Sequence, residues 1–220
     1  MAKHNRILLW RHGQTDWNIS NRFQGHSDIP LNEIGIAQAK RAATLLAGMN
    51  PTAIISSDLG RARVTAQALA DLVKLPVTID ADLRETNGGN WEGRTGEENR
   101  ADDFENFVRW IDGADSPAGT IGERRTEVAA RAVAAINRVL AQGDEGQLLV
   151  VTTHGGTARC VLGHLLELPQ SHWGVLGGLS NASWSILQSG PRGWHLVEHN
   201  AGSVPEPIYG EESGAEPTLR

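Results

Sequence analysis

Two histidine–glycine pairs follow short apolar runs: His12-Gly13 after Ile7-Leu8-Leu9-Trp10-Arg11, and His154-Gly155-Gly156 after Leu148–Thr153. Two further polar clusters sit in the same relation to apolar runs. Ser56-Ser57-Asp58-Leu59-Gly60-Arg61 follows Ala53-Ile54-Ile55, and Leu83-Arg84-Glu85-Thr86 comes shortly after Val77-Thr78-Ile79. Together these residue types suit phosphoryl transfer. An arginine binds phosphate oxygens bidentately and stays charged. A neutral histidine can attack phosphorus and form a covalent phosphohistidine. A second histidine can donate to the phosphoryl oxygens as charge shifts in the transition state. A carboxyl can protonate the leaving alkoxide and then deprotonate the attacking water. Glycine beside each histidine lets phosphate approach the backbone. Singly, each has a plainer explanation: a strand-end His-Gly is commonly a turn, an arginine in a first helical turn commonly faces solvent, and a glutamate can cap a turn. The conjunction of His12, Arg11, Arg61, Glu85 and His154 is what points to a site.

For these residues to meet, the apolar runs must be neighbouring strands. The runs Ile7–Trp10, Ala53–Ser56, Val77–Ile79 and Leu148–Thr153 read as buried strands. Ala182–Leu187 and Trp194–Glu198, joined by the turn-rich stretch 188–193, read as an antiparallel pair. Helical periodicity fills the gaps. Asn32 is expected to cap a helix through Leu46, with Ile36, Ala39, Ala43 and Leu46 inward. Asp58 is expected to cap another, with Leu59, Ala62, Ala66, Leu69 and Leu72 inward. Further helices are expected over Glu97–Ile111, over Glu123–Ala141 (Val128, Ala132, Ile136 and Val139 or Leu140 inward), and after Gly156 (Val161, Leu162, Leu165, Leu166). Strand–helix alternation implies an α/β fold with a mainly parallel central sheet and helices on both faces. Ligands then bind beyond the carboxyl ends of the strands, where the polar residues gather. The polar stretch from Gly88 to Gly119 reads as a small helical insertion over the site. Residues 1–200 are expected to form the domain, with 201–220 a flexible tail rich in Gly, Pro, Ser and Glu.

Composition narrows the function classes. The chain has 220 residues, 20 Lys+Arg against 26 Asp+Glu, and a net charge of −6. That argues against a nucleic-acid binder relying on a positive field. No apolar run approaches the length of a membrane span, so no membrane partner is expected. The start, Met1–Arg6, is not expected to be a signal peptide. A lone cysteine, Cys160, allows no internal disulfide and reads as a packed core thiol. A cytoplasmic location is expected. Asn18-Ile19-Ser20 and Asn181-Ala182-Ser183 match the glycosylation pattern, and without a secretory signal they are expected to stay unmodified. No Cys/His cluster has zinc-ligand spacing, and neither a Walker loop nor a Rossmann glycine motif is present. No metal and no cofactor are therefore expected. His4 and His26 read as surface groups, with His26 near the mouth of the site.

The motifs resemble those of the histidine phosphatase superfamily, in its phosphoglycerate-mutase-like branch. The resemblance is carried by Arg11-His12-Gly13-Gln14-Thr15 with Asn18, and by Leu31-Asn32-x-x-Gly35-x-x-Gln38-Ala39. It continues in Ser56-Ser57-Asp58-Leu59-x-Arg61-Ala62, Leu83-Arg84-Glu85 with Gly89-x-Trp91-Glu92-Gly93, and His154-Gly155-Gly156, in the family's order over residues 6–200. It implies a phosphate pocket of Arg11, Arg61, His12 and His154, with His12 the nucleophile and Glu85 the acid and then the base. Asn18, Gln24 and Gly155 would contact substrate, and no metal would be needed. One departure stands out: Gly122-Glu123 is followed by Arg124 where many members have serine.

The implied function is hydrolysis of a small phosphorylated metabolite through a phosphohistidine. The stretch after Glu85 is short and lacks the basic, tyrosine-bearing segment of mutases, which favours water over isomerisation. Val128-Ala129-Ala130-Arg131 and Trp173-x-x-Leu176-Gly177-Gly178-x-x-Asn181-Ala182-Ser183-Trp184 are most similar to the glucosyl-3-phosphoglycerate phosphatase subfamily. The alternatives are a broad-specificity, sugar- or cofactor-precursor phosphatase, a phosphohistidine-protein phosphatase, a phosphoglycerate mutase and a non-catalytic interaction module. A homodimer is the one protein assembly left open.

Overall fold

The computed structural model describes residues 4–202. Its centre is a six-stranded sheet built from β1 (Arg6–Arg11), β2 (Ala53–Ser56), β3 (Val77–Ile79), β4 (Leu148–Thr153), β5 (Trp184–Gly190) and β6 (Gly193–Ala201), in the order β3-β2-β4-β1-β5-β6. The first four strands in that order run parallel; β5 pairs antiparallel with β1, and β6 antiparallel with β5. Between them lie α1 (Asp16–Ile19), α2 (Glu33–Ala47), α3 (Gly60–Val73), α4 (Gly96–Asp102), α5 (Phe104–Ile111), α6 (Arg125–Leu140) and α7 (Gly155–Leu165).

Alternation along the strands explains the layering. Ile7, Leu9, Ile55, Leu149 and Val151 point to the face covered by Ala132 and Ile136 of α6 and Val161 and Leu162 of α7. Leu8, Trp10, Ile54, Leu148 and Val150 point to the face covered by Ala42, Ala43 and Leu46 of α2 and Ala66 and Leu69 of α3. The central strands are therefore apolar on both faces, as buried parallel strands must be. The insertion has its own small core of Phe23, Trp91, Phe107, Trp110 and Ala118. There Trp91 meets Phe107 and Trp110 edge-on, at 5.5 and 5.7 Å between ring centroids. Cys160 is buried in a cluster with Val128, Ala129 and Trp173. No helix among the described residues is long and apolar enough to cross a membrane.

The elements depart from the periodicity at several points. Ile36 and Leu72, expected inward, are exposed; each sits one position off the stripe its helix buries. The helix expected over 97–111 is two helices, because Asp103 leaves the helical conformation and its carboxylate accepts from Trp91 Nε1 at 3.2 Å. Asp58 does not cap α3. Its carboxylate takes a two-pronged bond from Arg84 (2.8 and 2.5 Å), and Asp28 caps instead, accepting from Gly60 N–H at 2.7 Å. The helix expected from Glu123 begins at Arg125, and Glu123 faces inward as an ion-pair partner. Strand β6 runs on through Ala201. The expected tail lies, from residue 203 on, outside the described residues.

Candidate active site

The register of β1 against β4 sets Arg11 opposite Thr153, so the two histidines leave the sheet side by side. Their ring centroids lie 5.2 Å apart. His12 N–H donates to Thr153 O at 3.1 Å, fixing where the chain turns. His12 Nδ1 lies 2.6 Å from Gly13 O. A carbonyl only accepts, so the proton sits on Nδ1 and Nε2 keeps its lone pair. Burial, then the charges of Arg61 and Arg11, hold His12 well below its ordinary pKa of 6.5. The turn depends on bare backbone: a Cβ on Gly13 would lie 2.2 Å from Gly35 O, and one on Gly35 2.1 Å from Gln14 O. The first turn of α2, capped by Asn32 on Gly35 N–H, thus packs directly on the turn after His12.

Arg61 lies in the first turn of α3 and is fully buried. It donates through Nη1 to Ser27 O and through Nη2 to Gly25 O, both at 2.8 Å, and through Nε to His154 Nδ1 at 3.2 Å. Three of its donors are thereby committed. Burial lowers its pKa to about 10, with Glu85 and Asp28 opposing. Because Arg61 Nε–H donates to His154 Nδ1, the His154 proton is on Nε2 and is donated to Ser57 Oγ at 2.9 Å. His154 is also held well below 6.5, by burial first and Arg61 second. Arg11, nearly buried, donates through Nη1 to Leu179 O at 2.5 Å. The loop that receives Arg61 is itself held by Glu92, whose oxygens accept from His26 N–H, Ser27 N–H, Ser27 Oγ–H and Gly88 N–H.

Glu85 reaches the same edge from the segment after β3. Its carboxylate accepts from Thr86 N–H at 2.7 Å and from Gly156 and Thr157 N–H of α7, both at 3.0 Å. It therefore occupies the N-terminus of α7, whose unpaired donors and dipole favour an anion. Gly155, the first residue of α7, is buried beside it. Asn18 and Gln24 are both buried and joined through Thr15. Asn18 Oδ1 accepts from Thr15 N–H and Asn181 Nδ2–H, which leaves the single Thr15 Oγ–H for Gln24 Oε1, 3.1 Å away. With their oxygens so occupied, both amides are left with NH₂ groups to offer.

The structure brings Arg11, His12, Arg61, Glu85 and His154 to one end of the sheet, with Asn18, Gln24 and Gly155 around them. Sequence reasoning did not single out Ser57, Asn181, Arg131 or Glu92 as supports. All four stood inside recognised motifs, but nothing in their types announced a partner. His26, read as a surface group, is half-buried and donates from Nε2 to Glu85 O at 2.9 Å. Arg124 lies elsewhere: it donates to Asp115 O and lines a cleft with Arg109 and Asn106. The cap that serine would give α6 comes instead from Asp115, which accepts from Thr126 N–H at 3.2 Å, and from Glu127, which accepts from Arg124 N–H at 2.8 Å. Among the described residues, no group of three or more His, Cys, Asp and Glu is arranged to hold a metal ion.

Comparison with known proteins identifies the family. The family model of the histidine phosphatase superfamily, branch 1, matches residues 7–202. A glucosyl-3-phosphoglycerate phosphatase of Mycolicibacterium vanbaalenii is 41% identical over 189 residues, covering 83% of each chain. A protein of Yersinia pestis named "Probable phosphoglycerate mutase GpmB" is 37% identical over 164 residues, covering 74% of this chain and 76% of its own. The solved structure of a mycobacterial glucosyl-3-phosphoglycerate phosphatase with VO3 superposes with a TM-score of 0.84 at 37% identity, covering 90% of this chain and 99% of that one. This chain belongs to the histidine phosphatase superfamily, branch 1, and is one of its phosphatases.

Proposed function

We propose that the chain hydrolyses a small phosphomonoester through a phosphohistidine at His12, and that its substrate is glucosyl-3-phosphoglycerate. The observation that carries the mechanism is the bond from His12 Nδ1–H to Gly13 O, which aims an unprotonated Nε2 away from the backbone in a site flanked by two arginines. Nε2 attacks phosphorus as the bond to the substrate oxygen breaks, and Glu85 gives that oxygen a proton. Water then attacks phosphorus, Glu85 takes its proton, the P–N bond breaks, and His12 returns to its starting tautomer. Arg11 and Arg61 hold the transferred phosphoryl group, and His154 stabilises the developing charge when its Nε2–H turns from Ser57 Oγ to a phosphoryl oxygen. Asn18, Gln24 and Gly155 line the approach with N–H donors.

The substrate rests on likeness to phosphatases bearing that name, at about two-fifths identity over most of both chains. A panel of phosphomonoesters, assayed with and without EDTA, tests both parts. Glucosyl-3-phosphoglycerate should give the highest kcat/KM, EDTA should change nothing, and acid-labile, base-stable phosphate should be trapped on His12. A chelator that abolishes activity overturns the mechanism. Another substrate far ahead overturns the substrate alone. Efficient conversion of 3-phosphoglycerate to 2-phosphoglycerate in the presence of the bisphosphate overturns the assignment to hydrolysis.

A further inference from the structure

The backbone around Glu85 has a further partner, in α6. Arg131, in α6, uses all five of its N–H donors in one place. Nη1 donates to Asp82 O at 2.6 Å and Arg84 O at 2.8 Å, and Nη2 donates to Glu85 O at 2.9 Å. Nε and Nη2 also donate to the two carboxylate oxygens of Glu123, at 2.7 and 2.9 Å. Glu123 in turn accepts from Asn87 N–H at 2.8 Å. One ion pair therefore grips the backbone at residues 82, 84, 85 and 87, with Glu85 in the middle. Neither side chain is among the groups that meet the phosphoryl pocket. Arg131 is only 17% exposed and Glu123 23%.

A fold needing only to tie α6 to the 82–87 segment has no need of so many bonds at one residue. The carbonyls of Arg84 and Glu85 accept from Arg131 of α6, while the Glu85 carboxylate accepts from Gly156 and Thr157 N–H of α7, so the residue is held from both helices. Thr157 Oγ closes the other side, donating to Arg84 O at 2.7 Å. We propose that Arg131, with Glu123, is a positioning residue for Glu85: it fixes the backbone from which the carboxyl reaches the leaving oxygen. This rests on the reading of Glu85 as proton donor. A planar, five-donor guanidinium is needed, because a lysine ammonium has three donors and cannot span acceptors on four residues.

The test is the rate of phosphoenzyme formation, measured by rapid quench on glucosyl-3-phosphoglycerate and on p-nitrophenyl phosphate, whose leaving group barely needs a proton. Arg131→Met, Arg131→Lys, Glu123→Gln, Glu85→Gln and the double variant Arg131→Met/Glu85→Gln are compared. Misplacing a catalytic group by about an ångström costs on the order of 10²-fold, so Arg131→Met should lose roughly that on glucosyl-3-phosphoglycerate and under about threefold on the aryl ester. Inhibition by inorganic phosphate should be unchanged, since Arg11 and Arg61 are untouched. Arg131→Lys should not rescue, Glu123→Gln should show the same selectivity at smaller amplitude, and the double variant should be no slower than Glu85→Gln. Equal losses on both esters in the Arg131 and Glu123 variants, or additive losses in the double variant, overturn the proposal. If Arg131→Met does not fold, Arg131→Lys and Glu123→Gln decide by the same ratio. If Glu85→Gln itself loses equally on both esters, the reading of Glu85 fails, a result distinct from failure of the clamp.

Discussion

Arg61 and Glu85 face the same pocket with different freedom. Arg61 already spends three donors on Gly25 O, Ser27 O and His154 Nδ1, so lysine in its place would forfeit the loop as well as the phosphate fork. Arg61→Lys should therefore lower kcat/KM by a similar factor on every phosphomonoester. A change confined to the ranking of substrates would make Arg61 a specificity residue. Glu85→Gln should slow phosphoenzyme formation from alkyl phosphates by about 10²–10⁴-fold, the range for general acid catalysis, and aryl phosphates far less. His12→Ala should leave no phosphoenzyme and lose on the order of 10³-fold or more in kcat, as when a covalent nucleophile is removed. A fully active His12→Ala protein would send the search for the nucleophile to His154.

The helices show where local pattern stops being sufficient. The cap of α2 was readable because Asn32 is adjacent to the helix it caps. The cap of α3 was not, because Asp28 is remote in sequence and becomes a neighbour only when the loop carrying Gly25 and Ser27 folds over Arg61. The same holds for Asp115 at α6, which stands in for a serine the chain lacks. The strand ends bearing His12, His154 and Arg61 were legible because apolar runs and polar termini are local signals. The supports at Arg131, Asn181 and Glu92 act through backbone carbonyls or amides of distant segments, and no residue type advertises such a target. Asp28→Ala should cost about 1 kcal/mol of stability by urea denaturation, the usual worth of an N-cap. It should also weaken inhibition by inorganic phosphate, because α3 presents Arg61 from its first turn. Gly35→Ala should be far worse, since its Cβ would strike Gln14 O at 2.1 Å beside His12.

Over the whole molecule, the two buried histidines tie stability to pH. Both are neutral in the folded protein, while in the unfolded chain they protonate below about 6.5. As pH falls through that value the unfolded state binds more protons, so unfolding becomes easier, by up to about 1.4 kcal/mol per pH unit for each histidine. Above pH 7 their contribution is flat. Urea midpoints should thus drop between pH 7.5 and 5.5, before the carboxylates of Asp58 and Glu123, held low chiefly by Arg84 and Arg131, begin to protonate. A midpoint unchanged over that range would mean that the histidines are solvated.

The strand order also dictates when the protein can form during synthesis. Strand β1 has no partner near it in sequence: Arg6 pairs with Leu148 on one side and Gln188 on the other. The apolar run Ile7–Trp10 emerges from the ribosome before the other five strands and waits for β4 and β5 before either flank is covered. Only β2 and β3 can pair early, and they make a two-stranded edge with no centre. Folding governed by such non-local pairing is slow, and the waiting strand is exposed to aggregation. Chains arrested before residue 148 should bind a holdase chaperone and be protease-sensitive throughout, and resistance should appear abruptly once β4 and β5 have left the exit tunnel. Gradual gain of resistance with length would mean that the first half folds alone.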